Sequence, residues 1–134
     1  MPTLSRLLAP MAALGVLAGC VSVAQTPPSQ DAQTFLHYAG PPIERFTYLG
    51  RYYGVRILGG PYLALWVTNS DGYLIKVKEP CTNLPFANKI DLTSASRNVS
   101  SAYDFVIVGQ DHCHIDTIQP LDIQAMKQAH IVEP

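Results

Sequence analysis

Charge is scarce in this 134-residue chain: Asp, Glu, Lys and Arg make up 14% of it, against about 25% in an ordinary soluble domain. Nine basic side chains are set against ten acidic ones, which excludes the dense positive surface that nucleic-acid phosphates demand. Long apolar runs are missing as well. The main one, residues 7–17, falls short of the ~20 residues that span a bilayer. Cysteines number three and nowhere form C-x-x-C, so their spacing gives no support to a zinc site. The chain also lacks a G-x-S-x-G elbow, an H-E-x-x-H helix and a glycine loop for phosphate. Asp91 and Asp104 are isolated carboxylates with no spacing that pairs them for acid and base work. An enzyme is therefore not expected, and neither is a cofactor.

The strongest positive feature is Leu17-Ala18-Gly19-Cys20. It closes a leader of one basic residue, Arg6, an apolar stretch and small residues, which is the layout of a secretory signal. A cysteine directly after Leu-Ala-Gly matches the lipoprotein pattern, in which the thiol is acylated and cleavage makes it the new N-terminus. Two or three acyl chains anchor stably, because each buried methylene contributes about 0.8 kcal/mol while one chain alone is marginal. Val21 stands where an aspartate would favour inner-membrane retention, so the pattern implies the periplasmic face of the outer membrane. The plainer alternative is an ordinary signal peptide and secretion to the periplasm. The expected division is a signal peptide over 1–19, a lipidated cysteine and tether over 20–39 with Pro27-Pro28 inside it, and a single β-rich periplasmic domain over 40–134. Without Arg6 the mature chain keeps eight basic and ten acidic side chains.

Assigning Cys20 to lipid leaves Cys81 and Cys113, and an oxidising periplasm favours closing that pair. Two free thiols or a metal pair are the alternatives. Eleven prolines and nine glycines punctuate many short elements, which points to an α+β, mainly β domain. Residues 31–39 suit a short helix capped by Asp31, with Phe35, Tyr38 and Ala39 on one face and Gly40-Pro41-Pro42 as its stop. From Ile43 the pattern alternates with period two. Strands are expected over 46–49 and 52–58, then over 62–68 and 73–78 around the loop 69–72, with Gly72 at positive φ. That hairpin reads as half-buried, with Lys76 and Lys78 turned to water. One helical turn is expected over 84–87, a strand over 89–93 and a loop over 94–101. A second hairpin, 103–108 with 113–118, ends at Pro120, and Asp122 caps a helix to about Gln128. Together these make a small antiparallel sheet, curled or closed as a barrel of about six strands, with short helices and one disulfide.

Tyr73-Leu74, Cys81, Leu84, Ala87, Ile90-Asp91-Leu92-Thr93-Ser94, Asp104, Cys113-His114-Ile115, Ile118 and Pro120-Leu121-Asp122 resemble a domain-of-unknown-function family of small Gram-negative cell-envelope proteins, often lipoproteins. The resemblance covers roughly residues 40–126 and departs where Tyr52-Tyr53 replaces an expected tryptophan. It implies an envelope address and a bridge between Cys81 and Cys113, and it brings no catalytic residues.

Two clusters invite a binding role. In a strand, His112, His114 and Asp116 share one face while Cys113 and Ile115 take the other. Two imidazoles and a carboxylate suit zinc or copper, although a solvated strand face beside a disulfide looks the same. Tyr53, Trp66 and Tyr73 belong to a group of aromatics that suits a platform for sugar or peptide, or ordinary strand packing. The expected function is a non-enzymatic interaction or accessory module, held to the membrane by its N-terminal lipid and partnered by an envelope protein. The alternative is a ligand- or metal-binding envelope protein.

Overall fold

The computed structural model describes residues 19–20, 27–94 and 96–132. Most of the stretch expected as a signal peptide, and residues 21–26 of the expected tether, lie outside the described residues. Helix α1, Gln30–His37, opens the folded part, and Ser29 caps it by accepting a hydrogen bond from the Ala32 N–H. The Ser29 hydroxyl also donates to the Leu58 carbonyl. The cap therefore lies two residues before Asp31, which instead sits in the first turn and pairs with Arg56 at 3.5 Å. Ala32 and Phe35, three residues apart on one face, are fully buried, as helical spacing requires. This corrects the boundary at residue 40: α1 belongs to the domain and not to a tether.

The strands are β1 Arg45–Thr47, β2 Gly54–Gly59, β3 Tyr62–Trp66, β4 Gly72–Val77, β5 Asp91–Leu92, β6 Asn98–Ser100, β7 Phe105–Val108 and β8 Asp111–Leu121. Six of them form a curled, half-barrel antiparallel sheet in the order β2-β3-β4-β8-β7-β5, and β1 pairs with β6 in a separate two-stranded sheet. The expected mainly β fold with about six sheet strands is thus found. The loop expected over 94–101 instead contains β6, which meets β1 through Phe46 opposite Val99.

Strand β8 produces the curl. Its first residues, Asp111 to His114, pair with β7, and the stretch from Ile115 to Leu121 pairs with β4. At the changeover Val77 faces Ile115 and Lys76 faces Thr117, which leaves Asp116 as an extra residue, and such bulges bend and twist a strand. The β7–β8 turn is shorter than the expected four-residue loop, since Val108 already pairs with Asp111 and Gly109 takes a φ of 60°. Nor does Pro120 end the strand. Its carbonyl accepts from the Gly40 N–H, so its nitrogen also points away from β4 and no ladder bond is lost.

The sheet is packed on both faces. On one, Leu63, Leu65, Ile75, Ile115 and Ile118 meet Phe46 and Val99 of the small sheet and Leu84. Leu84 belongs to the single turn Leu84–Phe86. On the other, Ala64, Leu74 and Leu121 meet Ala32 and Phe35 of α1 and Ile123 and Met126 of α2, Ile123–Gln128. Asp122 caps α2 through the Ala125 N–H, as expected. The β3–β4 hairpin is accordingly buried on both sides. Gly72 is placed for packing and not for a turn: it starts β4, and a β-carbon there would lie 2.8 Å from Ile123 Cδ1.

Candidate functional site

Cys81 and Cys113 are joined, with Cα atoms 5.6 Å apart and a separation of 32 positions in sequence. The bridge ties the segment after β4 to β8. The Asp111 carboxylate adds a second tie by accepting from the Asn83 N–H at 3.0 Å. From there the chain passes the Leu84–Phe86 turn, which packs against β2, and reaches Ile90, whose N–H donates to the Tyr52 hydroxyl at 3.2 Å. Because β2 and β5 are the two edges of the sheet, this segment closes the gap in the half-barrel, and the disulfide pins its start. Cys20 is exposed and has no disulfide partner.

The alternation read into residues 112–116 is present, with Cys113 and Ile115 buried and His112 and Asp116 exposed. The side chains do not converge on a metal, however. His114 Nδ1 lies 2.6 Å from the Ile115 carbonyl oxygen and Nε2 lies 3.1 Å from that of Ala102. Both ring nitrogens thus face backbone carbonyl oxygens, and neither is directed outward. The Asp116 carboxylate pairs with Lys76 at 3.7 Å, and His112 lies edge-on to Phe105 at 6.4 Å. Among the described residues no group of three or more His, Cys, Asp or Glu is placed to hold a metal. Strand register puts His112, His114 and Asp116 on one face, but the His114 ring turns to two backbone carbonyls and the Asp116 carboxylate to Lys76.

The aromatic platform divides in the same way. Tyr73 stacks on Phe46 at 4.4 Å within the inner core. Burial, and then the nearby Asp71 carboxylate, push its phenol above the usual tyrosine range. Burial first, then Asp91 and Tyr52, do the same for Tyr48. Tyr53 and Trp66 share a different place, a cleft of about 620 Å³ on the helix-bearing face. They are joined through the backbone, the Tyr53 N–H donating to the Trp66 carbonyl at 2.7 Å. Trp66 rests edge-on against Phe35 at 6.1 Å, and Tyr53 is 72% exposed.

Sequence reasoning missed the cleft's other members, Gly54, Arg56, Lys127 and His130. Gly54 lies opposite Trp66 in the β2–β3 ladder. Arg56 sits over the Phe35 ring at 5.5 Å from its centroid. Lys127 Nζ reaches across from α2 to donate to the Asn69 carbonyl at 3.0 Å. Their sequence separation hides them, but one signal was present: helix α2 ends without a glycine, with His130 at positive φ.

No curated protein and no solved structure matches the chain. A family model does, over residues 3–132.

Proposed function

The chain belongs to the DUF6491 family, whose function is unknown, and we propose that it is a lipid-anchored envelope protein acting as a non-enzymatic interaction module. In this reading Cys20 carries the acyl chains and the disulfide-stapled domain faces the periplasm from the outer membrane of a Gram-negative cell. The observation that carries it is Cys20 itself: it closes Leu17-Ala18-Gly19, it is exposed, and it precedes α1 by ten positions. A lipid there leaves every core contact intact. The bridge between Cys81 and Cys113 fits an oxidising compartment. Among the described residues no helix is long and apolar enough to cross a membrane.

Metabolic labelling with an alkyne fatty acid tests the anchor. The wild-type chain is expected to take up label and sediment with outer membranes, while Cys20→Ser is unlabelled and soluble. An unlabelled, soluble wild-type chain would sink the anchored reading in favour of plain secretion. Crosslinking in the native membrane tests the module. A reproducible adduct with one envelope component supports it, and no adduct under any growth condition counts against it.

A further inference from the structure

Two residues of the Tyr53–Trp66 cleft have identities that the local backbone does not call for. Gly54 begins the edge strand β2 opposite Trp66 and lies outside the positive-φ region, so its backbone does not call for a glycine. Here no backbone approaches, since a β-carbon built on Gly54 meets no heavy atom within 4 Å. The residue keeps the cleft floor open. His130 is the second case. Helix α2 ends in a Schellman motif, in which the His130 N–H bonds the Lys127 carbonyl at 3.1 Å and the Ile131 N–H bonds the Met126 carbonyl at 2.9 Å. That geometry puts His130 at a φ of 55°, the left-handed position that glycine fills at little cost and β-carbon-bearing residues resist. An imidazole held in strained backbone on a cleft wall is the kind of outlier that points towards function.

The chemistry of the lining narrows the ligand. Among the described residues Arg56 and Lys127 are the charged side chains that line this cleft, and no carboxylate does. This sets it apart in a chain with net negative charge. The neighbouring cleft of about 530 Å³ balances Lys76 and Lys78 against Glu79 and Asp116. Arg56 is oriented in advance by Asp31 and Phe35, and Lys127 retains two N–H donors beyond its bond to Asn69. Exposed aromatic faces stack on the C–H faces of sugar rings, and the volume is within the usual range for small-ligand sites.

We propose that this cleft binds an acidic saccharide. The ring packs on Tyr53 and Trp66 above Gly54, the acid group meets Arg56 and Lys127, and His130 contacts a ring hydroxyl or the acid. The proposal deepens the interaction-module reading above and rests on it for the envelope source of the sugar. Two sources share this chemistry: a carboxylated cell-wall saccharide and the phosphorylated headgroup of a glycolipid.

Calorimetric titration of the full chain as isolated from cells, in mild detergent, tests it with three probes: N-acetylmuramic acid, glucosamine 6-phosphate and neutral N-acetylglucosamine. At least one acidic probe is expected to bind, with the neutral sugar tenfold or more weaker, and preference between the acidic probes identifies the source. Gly54→Leu, which has room for its side chain, is expected to abolish binding with the melting temperature retained. His130→Gly is expected to raise the melting temperature and weaken binding several-fold, opposite movements that a purely structural residue would not give. Equal affinity for the neutral sugar, undiminished binding by Gly54→Leu, or no binding of either acidic probe overturns the proposal. Acylation of Cys20 is read separately, so an unlabelled chain that still binds acidic sugar would refute the anchor and leave the site standing.

Discussion

Asp104 is the buried charged side chain among the described residues, 7% exposed. One carboxylate oxygen accepts from the Thr93 hydroxyl at 2.8 Å and the other from the Ser100 N–H at 2.7 Å. Its own N–H donates to the Ser100 carbonyl, and its carbonyl accepts from the Ile115 N–H. One residue thus ties the ends of β5 and β6 to β8, where bulge and disulfide meet. In sequence Asp104 reads as a turn residue, because its partners lie 4 to 11 positions away in strands that only the fold assembles. Asp104→Asn should place an amide N–H against a donor, and hydrogen bonds to charged groups contribute about 1.5 to 3 kcal/mol. A loss of roughly 2 kcal/mol is expected in urea unfolding, and a change below about 0.5 kcal/mol would show that the carboxylate is not what holds the junction. His114 teaches the same point in reverse: alternation placed it on an accessible face, but two backbone carbonyls occupy its ring.

Elements were legible where their signal is local. The β3–β4 hairpin consists of two apolar-rich runs around a turn-forming loop, and α2 carries its own cap in Asp122. The β1–β6 pair has no such signal, since three-residue strands some fifty positions apart meet only because both cover the inner core. The gap-closing segment was equally hidden. Its role depends on β2 and β5 being the sheet edges, and open edges must be paired or covered. A Cys81→Ser/Cys113→Ser double variant is therefore expected to lose roughly 3 to 4 kcal/mol on the loop-entropy account. The loss should be uneven: hydrogen exchange should speed up most in residues 82–92 and in β2, and least at the β4–β8 ladder. Uniform acceleration would mean that the bridge acts on the unfolded chain alone and does not hold the gap closed.

At the scale of the whole molecule, the sheet has two cores, and each needs a partner from outside it. The inner face takes the small sheet and the outer face takes α1 and α2. A chain beginning at Gly40, where composition places the boundary, would lack Ala32 and Phe35 and expose Leu58, Ala64 and Leu74 beneath them. Removing one buried Phe side chain typically costs about 3 to 5 kcal/mol, on the order of a small domain's whole stability. Such a chain is expected to lose cooperative thermal unfolding that a chain beginning at Pro27 retains, and equal melting of the two would show α1 to be dispensable. The sequence by itself determined the cysteine pair, the mainly β class and the hairpins, because each rests on residues near one another in the chain or on a count of three cysteines. Only the tertiary structure decided the rest: that α1 packs on the sheet, that β8 bends at Asp116, that the His114 ring faces two carbonyls, and that Tyr53 and Trp66 share a cleft with Arg56, Lys127 and His130. Those facts depend on which faces of the sheet are covered and by what, and that is settled by burying both faces at once.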